Sequence, residues 1–239
     1  MKKYFILFAF IFQCYGNLDS LVEKIIELDR KAVVSIGGCP GVGKSTLADQ
    51  LKEDLENIGL KVLVLNLDAF SQPDAYRKTL PGELDIRRMD WQRMHDVLSN
   101  IKQATSILKP VYNQLTRFRG EEVIDLEMID CILFEGCYAL GDFPPMDLVQ
   151  YADLAVYLET SVDNIYDWKW DRELKKNKRR TDEEFYKHMV GIMEEFAKYV
   201  YPTKKNADVV IWMDSNHECH LMENNKVDKP DFSSFRQAI

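Results

Sequence analysis

The sequence predicts an α/β fold: a parallel sheet of about five strands with helices on both faces. Three observations predict it. Apolar runs of strand length alternate with longer stretches of helical period through most of the 239 residues. Runs such as Ala32–Ile36 and Cys131–Phe134 are nearly apolar throughout, the pattern of strands buried on both faces. A glycine-rich segment, Gly38–Ser45, joins the first such run to a helical stretch, where a sheet strand hands over to its first covering helix.

The elements follow in order. Leu18–Leu28 reads as an amphipathic helix, with Leu18, Leu21, Val22, Ile25, Ile26 and Leu28 on one broad face. The first strand is Ala32–Ile36. Its helix runs from about Lys44 to Ile58 and stops at Gly59, a helix-ending residue. The second strand is Lys61–Leu67. An irregular stretch, Ser71–Arg88, is punctuated by Pro73, Pro81 and Gly82. A helix from about Trp91 to Lys102 leads to a short strand, Glu121–Leu126. Asp130–Glu135 and Asp153–Glu159 are further buried strands. Two helical stretches, Val162–Lys176 and Asp182–Tyr199, precede the last strand, Ala207–Met213. The polar tail from Asn216 is expected to pack loosely. Residues 17–239 are expected to form one domain, long enough for a sizeable core without staples.

Composition, at 46% hydrophobic and 29% charged, is that of an ordinary globular chain. The net charge of −8 argues against broad nucleic-acid binding. Cys14, Cys39, Cys131, Cys137 and Cys219 form no C-x-x-C pair and no zinc-finger spacing with His. They read as small buried thiols of a reducing compartment. The N-terminus points the other way. Met1-Lys2-Lys3 precedes an apolar stretch, Tyr4–Phe12, and small residues Cys14 and Gly16 stand before Asn17. Residues 1–16 therefore match either a signal peptide or a hydrophobic N-terminal segment packed on the domain. The stretch is too short to span a membrane, and no stable membrane association is expected.

Gly38-Cys39-Pro40-Gly41-Val42-Gly43-Lys44-Ser45 is a complete G-x-x-x-x-G-K-[ST] loop, and Thr46 opens the following helix. Glycines let the backbone curl until several N–H groups point at one phosphate chain, and the helix N-terminus adds positive potential. Lys44 can reach the β- and γ-phosphates, and Ser45 can hold Mg²⁺. The chain therefore binds a nucleotide. Asp68 and Glu135 stand at the carboxyl ends of the second and fourth predicted strands, where open parallel sheets bind ligands. A carboxylate there can hold Mg²⁺ or take a proton from an attacking hydroxyl. Lys169, Arg172, Lys175, Lys176, Lys178, Arg179 and Arg180 form a basic run on a predicted helix and turn. Arg172 and Arg179 lie two helical turns apart. The run is either a cationic lid over the transferred phosphoryl group or a solvated face.

Four segments resemble the phosphoribulokinase/uridine kinase family of P-loop kinases. They are the phosphate loop; Leu67-Asp68-Ala69-Phe70; the stretch from Lys109-Pro110-Val111-Tyr112 to Arg117-Phe118-Arg119 together with Phe134-Glu135-Gly136; and Tyr201-Pro202-Thr203-Lys204-Lys205-Asn206-Ala207-Asp208. The resemblance implies a P-loop kinase fold with a basic lid at about 169–181. It implies ATP as the phosphoryl donor with Mg²⁺, a small-molecule hydroxyl acceptor and a homo-oligomer as one option. Cysteine usage and the need for ATP point to the cytoplasm, with export the alternative if residues 1–16 are a signal peptide. By position, Asp68 would be the base, and Ser45, Asp68 and Glu135 would surround Mg²⁺. Tyr112, Arg117 and Arg119 would line the acceptor pocket. Lys169, Arg172 and Arg179 would fall on basic lid positions, and Asp85 would match a sugar-binding Asp.

The chain departs from the family pattern at Ser71, in a tyrosine position, at Asn177, in a basic lid position, and above all in the acceptor segment. Arg117 stands where a base-reading His is placed, with Asn113-Gln114 replacing Asp-Phe. A guanidinium has no acceptor atom and suits a carboxylate or phosphate. The expected activity is phosphoryl transfer to a nucleoside such as uridine or cytidine. The alternatives are an anionic sugar or acid as acceptor, and a nucleotide-dependent switch without catalysis.

Overall fold

The computed structural model describes residues 18–81, 85–112, 119–175 and 180–222. The expected N-terminal segment lies outside them, as do Arg117 and Arg179. Six strands form the main sheet in the order β2-β5-β1-β6-β7-β8. These are β1 (Ala32–Gly38), β2 (Val62–Asn66), β5 (Cys131–Glu135), β6 (Leu154–Glu159), β7 (Val209–Met213) and β8 (Cys219–Met222). The first five in that spatial order run parallel, as expected, and β8 adds an antiparallel edge. Of the tail expected to pack loosely from Asn216, the described part folds back as β8, and residues 223–239 lie outside the described residues. Cys219 is buried, and Trp212 faces His220 in register.

β1 and β5 are buried along their whole length, which explains their uninterrupted apolar character. The sheet is flanked by α1 (Asp19–Ile26), α2 (Lys44–Asn57), α4 (Trp91–Asn100), α5 (Val162–Lys175) and α6 (Asp182–Glu195). α2 turns Leu47, Ala48, Leu51 and Leu55 to the core, one face of a 3.6-residue period. α6 starts at a capping box. Glu184 N–H donates to Thr181 Oγ1 at 3.2 Å, and Thr181 N–H donates to Glu184 Oε2 at 2.8 Å. It then continues as a π-turn, Phe196–Val200, and a 3₁₀ segment, Tyr201–Asn206. The amino-terminal edge of the sheet is tied by carboxylates. Val33 N–H donates to Asp153 and Ala155 N–H donates to Asp208, each at 2.8 Å.

Two pieces stand apart from the sheet. β3 (Ser106–Tyr112) and β4 (Arg119–Asp125) form an antiparallel pair with Tyr112 opposite Arg119. The stretch Ser71–Arg88 contains a single helical turn, α3 (Asp74–Arg77), and a 3₁₀ turn, Ile86–Arg88. Both pieces lie between β2 and β5 in the chain, on the route between two strands that end in the cleft.

Candidate active site

β1 delivers the glycine loop to the carboxyl end of the sheet. Gly38 has φ +140, and a Cβ there would strike the Leu158 carbonyl oxygen of β6, so only glycine fits. Gly43, with φ +101, is the N-cap of α2. The helix therefore begins at Lys44 with its N-terminal N–H groups directed into the loop. Lys44 is buried, and its Nζ donates to the Cys39 carbonyl oxygen at 2.9 Å. Burial alone would lower its pKa. Cys137, Glu135, Cys39 and Asp68 outweigh that and raise its pKa, so the ammonium stays charged. Cys39 is the opposite case: burial pushes its thiol up, and it packs behind the loop as a neutral side chain.

Glu135 closes β5 and is buried. Its Oε1 accepts from Ser45 Oγ at 2.8 Å and from the Asn66 amide. Burial raises its pKa against the opposing pull of Lys44 and Ser45. Asn66, the last residue of β2, also accepts from Asp68 N–H at 2.7 Å. One side chain thus ties the Glu135 carboxylate to the Asp68 backbone. Asp68 itself is exposed.

These groups share a cleft of about 710 Å³. Pro40 to Thr46, Asp68, Glu135, Lys169 and Arg172 all line it. Lys169 and Arg172 come from α5. The Lys169 stem crosses the loop so closely that a Cβ on Gly41 would lie 2.9 Å from its Cγ. The remaining expected site residues are placed differently. Gly38 and Cys39 form the back of the loop. Tyr112 and Arg119 stand behind the cleft wall rather than on it. Arg119 donates to the Ser71 carbonyl and, at 3.0 Å, to the Gln72 carbonyl, with its guanidinium carbon 4.7 Å from the Tyr112 ring centroid. Asp85 is also off the wall. It caps the 3₁₀ turn at Arg87 N–H and pairs with the Arg87 side chain, which lowers its pKa. Lys204 of the Pro-Thr-Lys segment is buried away from the cleft, donating to Glu159 at the end of β6 at 2.6 Å.

The cleft also holds residues that the motifs do not announce: Asn66, Arg77, Arg88, Cys137, and Trp168 stacked on His217 with ring centroids 4.3 Å apart. Asn66 stands two residues before Asp68 at a strand end, a weak but readable signal. Arg77 and Arg88 end short helical turns within a stretch that the sequence reads as irregular, where no spacing rule applies.

A glycine loop on a parallel sheet, with strand-end carboxylates and helix-borne cations around one cleft, defines a P-loop kinase. The chain belongs to the phosphoribulokinase / uridine kinase family, whose profile matches residues 33–218. It is 29% identical over 189 residues to a uridine kinase of Ureaplasma urealyticum, covering 77% of this chain and 89% of that one. A phosphoribulokinase of Synechocystis is 28% identical over 187 residues, covering 77% of this chain and 54% of its own length. Among solved structures, the phosphoribulokinase from Rhodobacter spheroides matches with a TM-score of 0.64 at 11% identity, over 84% of this chain and 75% of that one. Among the described residues no helix is long and apolar enough to cross a membrane.

Proposed function

We propose that this chain transfers the γ-phosphoryl group of ATP to a hydroxyl of a small-molecule acceptor. The supporting observation is the convergence of Lys44, Ser45, Asp68, Glu135, Lys169 and Arg172 on one cleft. The loop N–H groups, the α2 N-terminus and Lys44 bind the triphosphate. Asp68 takes the acceptor's hydroxyl proton as its oxygen bonds to the γ-phosphorus. The bond from that phosphorus to the β–γ bridging oxygen breaks, and ADP leaves with the electron pair. Lys169 and Arg172, with Arg179 by resemblance, offset the charge spread over the transferring group. Ser45, Asp68 and Glu135 offer the hard oxygen atoms that Mg²⁺ takes, and the Ser45–Glu135 contact brings a hydroxyl and a buried carboxylate together. When bound there, Mg²⁺ would neutralise charge on the β- and γ-phosphates.

Two acceptor classes follow from the relatives' names. A nucleoside is suggested by those named uridine kinase, and a sugar phosphate by those named phosphoribulokinase. The test is ATP consumption by the purified chain with and without an acceptor panel. Acceptor-stimulated turnover is the expected result. Tight ATP binding with no acceptor-stimulated turnover would make the chain a nucleotide-dependent switch. Asn225-Lys226-Val227-Asp228 carries the Asn-Lys-x-Asp pattern of guanine-specific switches, outside the described residues, so GTP belongs beside ATP in that assay.

A further inference from the structure

We infer that Lys204 is a positioning residue for phosphoryl transfer: its buried ion pair with Glu159 sets the basic helix α5 against the glycine loop. The inference rests on the kinase reading above and adds to it a pair that lies outside the cleft. Lys204 Nζ donates to Glu159 Oε2 at 2.6 Å, and only 6% and 19% of the two side chains are exposed. An ion pair this buried is a poor source of stability, because desolvating both charges costs about what their attraction returns. An apolar pair of similar volume is often at least as stable. What the ion pair adds is direction. A charged hydrogen bond holds its two ends at one distance and angle, which apolar side chains do not.

The place of Glu159 gives that direction a use. It closes β6. On its near side, Leu158 stands in register with Gly38, and the Leu158 carbonyl oxygen is the atom that a Cβ on Gly38 would strike. The glycine loop thus rests on the residue just before Glu159. On the far side, buried Thr160 donates from Oγ1 to the Met213 carbonyl of β7 at 2.6 Å and accepts from Asn164 Nδ2 at 2.9 Å. Asn164 N–H donates to Ser161 Oγ at 3.1 Å. These contacts fasten the first turn of α5 to the sheet, and α5 carries Lys169 and Arg172 to the cleft. Glu159 is therefore the joint between the loop and the helix that crosses it.

Lys204 is presented to that joint by a segment tied on both sides. Thr203 Oγ1 donates to the Val200 carbonyl at 2.7 Å, and Asn206 Nδ2 donates to the Leu140 carbonyl at 2.9 Å, on the chain that leaves β5. Asp208 accepts from Ala155 N–H at 2.8 Å, near the start of β6. Loss of the ion pair frees the end of β6 to shift against this segment. The loop keeps its shape through its own glycines and the Lys44–Cys39 contact, so ATP binding survives. Lys169 and Arg172 lose their aim on the transferring group, where a misplacement of about 1 Å costs up to about 10²-fold.

The experiment uses the full chain, radiolabelled ATP, and uridine and ribulose 5-phosphate as acceptors. The double variant Lys204→Met with Glu159→Leu removes both charges and leaves neither buried alone. Urea denaturation and calorimetric ATP titration accompany the kinetics. The double variant should unfold at the parent's urea concentration or above, bind ATP within about 3-fold of the parent, and turn over at least about 10-fold more slowly. Arg172→Ala should cost far less kcat in that background than in the parent, because its guanidinium is already misplaced. A kcat within about 2-fold of the parent's, or an Arg172→Ala cost that agrees between the two backgrounds within about 2-fold, makes the pair structural only. Either result overturns the inference and leaves the kinase reading standing. Glu159→Gln keeps the shape and a hydrogen bond to Lys204 while dropping the charge, and it decides the case in which the double variant does not fold. A kcat at least about 3-fold below the parent's, with ATP affinity kept, then supports the inference, and a smaller change overturns it. Tight ATP binding by the parent with transfer to neither acceptor overturns the kinase reading and the inference with it.

Discussion

The glycine-loop wall of the cleft, proposed to hold the nucleotide, and the wall facing it, proposed to hold the acceptor, are built by different means. The nucleotide wall is backbone: one contiguous string, Gly38 to Ser45, whose shape follows from glycines that alone accept its torsions. The facing wall is side chain: Asp68, Arg77 and Arg88 line it, with Tyr112 and Arg119 buttressing it from behind. A backbone site tolerates little change and serves one ligand, the phosphate chain. A side-chain site can be rebuilt residue by residue without disturbing the sheet. On the proposed reading, donor chemistry is written in the fold and acceptor choice in a few substitutable positions.

The predictions that strain this contrast run from large effects to small. Lys44→Ala should cost about 10³-fold in kcat/KM and most of the ATP affinity, because it removes the buried charge that faces the β/γ-phosphates. Calorimetric ATP titration checks it; retained affinity would mean that the loop is not the nucleotide site. Arg172→Ala should lower kcat about 10-fold to 10²-fold and weaken ATP binding much less, since a lid cation acts mainly on the transferring group. Steady-state kinetics with separate ATP binding distinguishes this from a solvated face, which would leave both unchanged.

Arg119→Ala sharpens the contrast from the other side. Its guanidinium holds the Ser71 and Gln72 carbonyls, so its loss should destabilise the chain by about 1.5–3 kcal/mol and raise acceptor KM, with ATP affinity retained. Urea denaturation and acceptor kinetics together read it. Asp85→Asn should do least. Asn caps a helical turn as well as Asp does, and Asp85 does not line the cleft, so acceptor KM should move less than about 2-fold. Arg87 holds the Asp85 carboxyl below the usual range. Its contribution to stability is therefore complete above the unfolded value near pH ~4 and is lost only as the pH falls through the lower folded value. The stability–pH curve of Asp85→Asn should therefore lie slightly below the parent's at neutral pH, and the two curves should converge as the pH falls through that lower value. A large rise in acceptor KM would restore Asp85 to the sugar-binding role that resemblance assigns it.

Legibility followed the same division. The five parallel strands, α2 and the glycine loop are local patterns, and they stand within a residue or two of where periodicity and capping place them. β3 was hidden because Lys109 and Pro110 interrupt a half-exposed edge strand, and proline is a weak strand signal that edges tolerate. β8 was hidden because four residues flanked by polar chain carry no period. Its existence depends on β7 offering a free edge. Asp68 and Glu135 were readable because strand ends in an open parallel sheet have a known destination. Arg77 and Arg88 were not, because their place in the cleft is set by contacts across up to 35 residues of chain, as between Arg77 and Tyr112. The distance between a residue's own segment and its partners, more than its chemistry, decided what could be read in advance.

The account turns on Asp68, the residue at which the two walls meet. Radiolabelled phosphoryl transfer by Asp68→Asn, with ATP affinity measured on the same preparation, tests it most directly. The Asn side chain keeps the shape and removes the proton acceptor. Turnover should fall at least about 10²-fold, the usual range for loss of a general base, while ATP affinity stays near that of the parent. Turnover at the parent rate would contradict the account, and so would ATP binding lost in step with turnover.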